Sequence, residues 1–308
     1  MSITDLKQSY LQGKITKPGY ITSMHDCHTV LYEYAAFIRT TDIQKIEISD
    51  GLVVMTSREY GVKMVCDPKD HRIAPIEALN FGNYEKVDCD MILRLVDDGQ
   101  HIFDIGGNFG WYSLVIAKLR NASVFTFEPV PRTFDFLQQN IALNSLAGIE
   151  LFNFGFSDQE QELSFYYYPE GSGNASIANL SDGDGVQTVV CRVKVLDEFV
   201  RERKAVVDFI KCDVEGAELL VFKGGQETLR SQKPIVFAEL LRKWSAKFGY
   251  HPNEVLELFR SMGYQCFTAS NGMLVEFDRM DDETVETNFF FLHTEKHHAK
   301  ISALSPRV

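Results

Sequence analysis

Apolar and polar positions along this chain follow two periods. Short runs of aromatic and β-branched residues read as buried strands, and between them apolar residues recur every three to four positions, which reads as helix. From residue 102 the two alternate. Residues 102–105 (Ile-Phe-Asp-Ile) form a first strand, 111–120 a helix, and 123–127 a second strand that ends at Glu128. Pro131 is placed to open the next helix, on which Phe134, Leu137 and Ile141 share a face. Further strands fall at 149–154, 206–213 and 234–239, with helices at 218–230 and 252–262. Strands at 264–269, 273–277 and 288–293 close the sheet, the first two joined through Asn271-Gly272. Extra strands at 162–168 and 188–193 flank the small-residue stretch 169–187, expected to be a lid or substrate loop. Its Asn174-Ala175-Ser176 matches a glycosylation sequon by chance on this reading. Strand and helix in alternation predict an α/β fold with a doubly wound, mostly parallel sheet.

The first 80 residues break this rhythm. Residues 1–40 read as helical and irregular, with an amphipathic helix over 29–38. Strands over 45–48, 52–56 and 62–66 turn at Asp50-Gly51. Short helices over 75–80 and 85–96 lead into the first strand of the alternating region, with Gly99 as a C-cap. The expected organisation is an N-terminal α+β extension (1–80), a main domain (81–295) and a frayed polar tail (296–308). The extension is a candidate cover for a site, or the contact of a homodimer.

Composition narrows the function. The chain of 308 residues carries a formal charge of −12 and no Lys/Arg stripe, which argues against a nucleic-acid partner. Its six cysteines form no C-x-x-C pair and read as reduced core thiols. No leader pattern and no membrane-length apolar run is evident, so a cytoplasmic protein is expected. His25-Asp26-Cys27-His28 resembles a metal cluster on paper, but adjacent residues in regular structure cannot all face one ion.

The chemistry gathers at strand ends. Asp104 sits in the first strand, and Gly106, Gly107 and Gly110 follow at once. This is a strand–turn–helix nucleoside site, but its Asp-x-Gly-Gly-x-x-Gly spacing departs from the dinucleotide G-x-G-x-x-G. A carboxylate repels a diphosphate and attracts a cation, so the ammonium or sulfonium of S-adenosylmethionine suits Asp104 better. Glu128 is then placed for ribose hydroxyls, Asp158 for the adenine amino group, and Ser157 for a further polar contact. The strand over 206–213 delivers Asp213, Glu215 and Glu218, and the next ends in Glu239. Buried strands seldom carry such a cluster unless it is paired or used.

With these pieces in order, the sequence resembles the FkbM family of S-adenosylmethionine-dependent methyltransferases. The matching segments are Gly82-Asn83-Tyr84-Glu85, Phe103-Asp-Ile-Gly-Gly-Asn-Phe-Gly110, Phe127-Glu-Pro-Val-Pro131, Asn140-Ile-Ala-Leu-Asn144, Ser157-Asp158, the 208–218 run around Asp213-Val-Glu-Gly-Ala-Glu, and Pro234-Ile-Val-Phe-Ala-Glu239. The resemblance implies the seven-stranded, Rossmann-like class I methyltransferase sheet. It implies methylation of a hydroxyl on a sugar, glycolipid or polyketide-like product; some relatives modify nitrogen. It adds Glu85 and Asn108 to a cofactor set of Asp104, Gly106, Gly107, Gly110, Glu128, Ser157, Asp158 and Asp213.

Asp213, Glu215 and Glu239 remain as the acceptor-side, catalytic candidates. Two roles compete. Asp213 and Glu239 are the candidate ligands of a divalent cation; alternatively one carboxylate, with Lys211 or His251, orients and deprotonates the acceptor without an obligate metal, which the reading favours. Glu218, which opens a helix, reads as a surface or hinge-packing residue. Rival functions are a nicotinamide oxidoreductase, which leaves Asp104 and the Asp-Val-Glu-Gly segment unexplained, and a catalytically silent scaffold. The partner expected is a small-molecule or glycan acceptor.

Overall fold

The computed structural model describes residues 1–168, 170–171, 175–179 and 185–306. Asn174 of the sequon and much of the 169–187 loop lie outside the described residues. Helices α1 (Ile3–Leu11) and α2 (Lys17–Phe37) precede a three-stranded antiparallel sheet of β1 (Ile43–Ser49), β2 (Leu52–Ser57) and β3 (Lys63–Val65). Helices α3 (Ala74–Phe81) and α4 (Lys86–Leu95) lead into β4 (His101–Ile105), α5 (Trp111–Arg120), β5 (Ser123–Phe127), α6 (Pro131–Asn144) and β6 (Ile149–Phe152). A second small sheet holds β7 (Gly155–Ser157), β8 (Gln161–Tyr167) and β9 (Gln187–Val195) and runs into α7 (Leu196–Arg203). Then come β10 (Phe209–Cys212), α8 (Glu218–Lys223), α9 (Gln226–Gln232), β11 (Ile235–Glu239), α10 (Arg242–Ser245), α11 (Asn253–Ser261), β12 (Tyr264–Ser270), β13 (Met273–Glu276), β14 (Asn288–His293) and α12 (His298–Leu304).

The main sheet has the order β13-β12-β14-β11-β10-β4-β5-β6. β4, β5, β6, β10 and β11 run parallel, and β14 is antiparallel to both β11 and β12. Seven of these strands are those the resemblance implies. The eighth, β13, is the return of the Asn271-Gly272 hairpin and pairs antiparallel with β12. Because strand side chains alternate between faces, neighbouring residues enter different cores. Ile102, Phe209 and Phe237 join the cluster on one face, while Phe103, Ile210 and Val236 join the cluster on the other. The sheet is therefore buried on both sides, as parallel sheets are.

The chain order reverses between β4 and its two neighbours, β5 and β10, which opens a crevice at their carboxyl ends. The extension is tied to this crevice. Asn140 of α6 accepts from Val65 N–H at 2.8 Å and donates to Phe109 O at 2.8 Å, so one buried amide joins β3, α6 and the glycine turn. Asn144 pairs with the backbone of Lys63 in the same way.

Three expectations change. The helix over 218–230 is two helices broken at Gly224-Gly225. A Cβ at Gly224 would lie 2.3 Å from Ser157 O, and one at Gly225 would lie 2.6 Å from Leu196 Cδ2, so the chain is pressed against β7 and α7 there. The frayed tail is instead α12, whose Leu304 is buried in the core with Ile301 packed beside it. The amphipathic helix over 29–38 is the second half of α2, which begins at Lys17 under the Thr16 cap.

Candidate active site

Two cavities share a wall at the carboxyl ends of β4 and β10. The larger, about 610 Å³, lies among Tyr84, Glu85, Tyr112, Glu239 and Trp244. The smaller, about 50 Å³, lies among Gly106, Glu128, Phe156, Phe165 and Ile177. Asn108, Asp213 and Glu215 line both.

Backbone constraint builds the wall. Gly106 has φ +76°, and a Cβ there would sit 1.8 Å from Asp213 O; only glycine lets β4 and β10 end this close together. Three non-glycine residues lining the cavities are also left-handed: Glu85 (φ 44°), Asn108 (φ 48°) and Glu215 (φ 55°). Such backbones cost energy and concentrate at functional sites. Asn108 Oδ1 and Glu215 Oε2 are shut from solvent and have no hydrogen-bond partner among the described residues.

Beneath the wall lies a buried cation. Lys211 stands opposite Asp104 in the β10–β4 register. Its ammonium donates to Gly106 O at 2.6 Å and lies 3.5 Å from Asp104 Oδ1 and 3.4 Å from Asp213 Oδ2. Burial disfavours this charge, but Asp213, Asp104 and Glu85 more than offset it and hold the Lys211 pKa above its ordinary value. Asp104 also accepts from Ser113 Oγ at 2.5 Å.

The carboxylates are buried (Glu128) or half-buried (Glu85, Asp213, Glu215 and Glu239) and poorly compensated. Burial raises Glu128 to about 7, against hydrogen bonds from Val130 N–H and Asn108 N–H that favour its charged form. Burial likewise raises Glu85, to which the Tyr112 hydroxyl donates, to about 7. Glu215 and Glu239 are pushed well above the usual carboxylate range, first by burial and then by the Asp213 charge. Oxygens of Asp213, Glu215 and Glu239 lie within 4.8 Å of one another, close enough to ligate one hard cation.

Of the residues singled out from the sequence, Glu85, Gly106, Gly107, Asn108, Glu128, Asp213, Glu215 and Glu239 line these cavities. The others are placed differently. Asp104 is fully buried behind the turn and reaches the wall through Lys211. Gly110 faces away from both cavities; a Cβ there would lie 2.6 Å from Leu137 Cδ1, so this glycine packs α6 against the turn. Ser157 and Asp158 lie outside the lining, because β7 leaves the main sheet to pair with β9 and turns Gly155 and Phe156 toward the smaller cavity instead. His251 is exposed, and its Nδ1 accepts from Asn253 N–H near α11. Glu218 is not a surface residue: it is buried, and it accepts from Val214 N–H and Gly216 N–H at 3.1 Å and from the Tyr250 hydroxyl at 3.2 Å. It braces the loop that carries Asp213 and Glu215.

Sequence reasoning missed Tyr112, Trp244 and Arg72 on the larger cavity. Tyr112 carried a usable signal, since it lies in the first turn of the helix after the glycine turn. Arg72 and Trp244 come from segments with no motif. Described residues of the 169–187 loop reach the site: Ala175 and Ile177 line the smaller cavity, and Ser176 Oγ donates to Glu215 O at 2.8 Å.

Residues 104–266 match the model of the methyltransferase FkbM domain. Methyltransferase sdnD of Sordaria araneosa is 31% identical over 157 residues, covering 41% of this chain and 60% of that protein. Methyltransferase 1 of Beauveria bassiana is 28% identical over 146 residues, covering 41% and 59%. Hexuronic acid methyltransferase AglP of Haloferax volcanii is 28% identical over 142 residues, covering 46% and 56%. The matches thus span less than two thirds of each of these relatives. Among solved structures, methyltransferase FkbM from Methylobacillus flagellatus aligns with a TM-score of 0.42 at 15% identity, covering 64% of this chain and 44% of that one.

Proposed function

This chain belongs to the FkbM methyltransferase family, and from that we propose that it transfers the methyl group of S-adenosylmethionine to a hydroxyl of a sugar or similar polyhydroxylated acceptor. The observation that carries the reading is the shared wall: a small groove at Glu128, open at its mouth, meets a large carboxylate-lined cavity at Asn108 and Asp213. Glu128 takes the ribose hydroxyls, Gly155 and Phe156 flank the adenine, and Gly107 and Asn108 border the methionine end. The negative surroundings favour a sulfonium cation.

The acceptor occupies the larger cavity. Its rings, Tyr84 and Trp244, suit the apolar faces of a sugar, and its carboxylates suit the hydroxyls. AglP, named as a hexuronic acid methyltransferase, supports a sugar acceptor. The acceptor oxygen attacks the methyl carbon in line, the carbon–sulfur bond breaks onto sulfur, and the hydroxyl proton passes to Glu239 or Glu215. Their raised proton affinity makes either a better base than an ordinary carboxylate. A divalent cation at Asp213, Glu215 and Glu239 would polarise the acceptor oxygen. Lys211 already compensates Asp213, so transfer without an obligate metal is the reading we favour.

Calorimetry with S-adenosylmethionine, S-adenosylhomocysteine and NAD tests the cofactor, on wild type and Glu128→Ala. Micromolar binding of both adenosyl ligands, weakened at least tenfold in the variant, is expected. Binding of NAD alone would overturn the proposal. A radiolabelled-methyl assay over sugar acceptors, with and without chelator, then tests the acceptor and metal assignments.

A further inference from the structure

We propose that the acceptor is an acidic sugar, whose carboxylate or phosphate is held at the mouth of the larger cavity by Arg72 and Lys243 while one of its hydroxyls meets the carboxylates at the base. The inference rests on the methyl-transfer reading above and narrows its acceptor. Charge is sorted by depth in this cavity. At the base, oxygens of the half-buried Asp213, Glu215 and Glu239 lie within 4.8 Å of one another, and the buried Lys211 stands beside Asp213. Arg72 and Lys243 line the same cavity but are exposed, the Arg72 side chain by 68%.

The turn that carries Arg72 is fixed by buried groups. Asp67 and Asp70 are both buried. Asp67 pairs with Arg132 of α6 and accepts from Lys69 N–H at 2.9 Å. Asp70 accepts from Arg72 N–H at 2.9 Å, and His71 N–H donates to Glu170 O at 3.0 Å. The backbone at Arg72 is therefore anchored on three sides, yet the guanidinium it presents is barely used within the chain. Glu77 approaches its Nε at 3.6 Å, outside hydrogen-bond range, and its terminal nitrogens have no hydrogen-bond partner among the described residues. A guanidinium in that state offers a planar fork, which fits a carboxylate or phosphate through two parallel hydrogen bonds. The Arg72 charge also reaches the base, where it favours the ionised form of Glu215.

Lys243 is unused in the same way. Its neighbour Arg242 ties α10 to the chain beyond β13, donating to Asp281 O and Thr284 O. Lys243 itself makes no ion pair among the described residues and lies over the Trp244 ring, 4.4 Å from its centroid. Ring and ammonium together suit a sugar acid: the ring takes an apolar face of the sugar and the ammonium takes its charged substituent. A neutral sugar would engage the base and the ring but leave both cations to water. An extended polyanion does not suit a chain of net charge −12. A small acceptor with one anionic group engages base, ring and both cations.

The test is calorimetry on the full chain saturated with S-adenosylhomocysteine, titrated with glucose, glucuronate and glucose 6-phosphate, for wild type, Arg72→Gln and Lys243→Gln. The wild type should bind one of the two acidic sugars at least about tenfold more tightly than glucose, and the preferred one names the anion. Each substitution should cut that preference at least about threefold, and so should raising salt from about 0.05 to 0.5 M. Equal binding of the three sugars, binding of none of them, or a preference that survives both substitutions would overturn the proposal. Both positions are exposed, so the variants should fold, and the wild-type comparison stands without them. The methyl-transfer reading fails on a different result, the absence of adenosyl binding; methylation confined to neutral sugars would keep that reading and end this one.

Discussion

Replacing Lys211 with methionine removes the cation at the centre of the site while leaving its apolar stem nearly unchanged. The ammonium is almost inaccessible (side chain 4% exposed) and faces Asp104 (1%) and Asp213 (32%). Deleting one member of a buried pair leaves the other as an uncompensated charge, which costs about 3–5 kcal/mol. Only Asp104 is deep enough to incur that in full, and Gly106 O also loses its donor. A loss of about 3–4 kcal/mol, or roughly 5 °C in Tm, follows for a chain of this size. The decisive assay is a double-mutant cycle by thermal or urea unfolding. Asp104→Asn removes the stranded charge, so the double variant should be more stable than the sum of single losses by at least about 1.5 kcal/mol. S-adenosylmethionine binding should fall in both single variants, since the Gly106 turn and Asp213 lose their common anchor. Strict additivity, or a Lys211→Met loss below about 1 kcal/mol, would refute the claim that Lys211 is held as a countercharge.

The buried and half-buried glutamates make stability depend on pH. Burial raises Glu85, Glu128 and Glu218 to about 7, against about 4.3 for an unfolded glutamate. The folded state therefore binds more protons between these values, and the contribution is fully present below about pH 4.3 and lost as pH rises through 7. The ligand-free protein should melt several degrees higher at pH 5.5 than at pH 8, measured in matched buffers; a flat or reversed profile over that window would contradict the assignment. The glycines should separate by role: Gly106→Ala, aimed at Asp213 O, should weaken S-adenosylmethionine binding by about 10²-fold or more. Gly110→Ala, aimed at the end of Leu137, should cost stability and leave binding within a few fold, as calorimetry on folded fractions would report.

Local patterning predicts most of the sheet because its strands are buried on both faces and its helices on one. The 102–105, 123–127 and 234–239 runs each fall within a residue or two of a strand. Where the reading failed, a distant partner decided the outcome. The helix expected over 218–230 breaks at Gly224-Gly225, where β7 and α7 press on the chain. Asp158 looked like a strand-end ligand residue, but β7 pairs with β9, a partner nearly forty residues later that the strand pattern does not announce. Glu218, a helix-start carboxylate, was open between surface and hinge packing, and only the fold brings Tyr250 to it. Lys211, read from the sequence only as a helper in deprotonating the acceptor, carried a signal that went unused: a cation inside a buried strand requires an anion on the neighbouring one, and Asp104 lies at that register.

Those same residues explain why the site can be both strained and stable. Left-handed Glu85, Asn108 and Glu215, the pinched Gly106 and the crowded carboxylates all raise the energy of the ligand-free wall. The cost is carried by rigid surroundings: Asn140 locks the glycine turn to α6 and β3, Glu218 and Tyr250 brace the Asp213 loop, and Lys211 joins the two strand ends. A cationic cofactor relieves part of that energy by supplying the missing positive charge. Methyl transfer then leaves a neutral thioether, and the relief is withdrawn. On this account the wall attracts the substrate form of the cofactor more than the product form. The preference should shrink as pH falls from 8 to 5.5, because protonating Glu128 and its neighbours removes the negative charge that created it. The ratio of the two dissociation constants measured at both pH values decides the matter: a ratio independent of pH would mean that shape, and not charge, sets the discrimination.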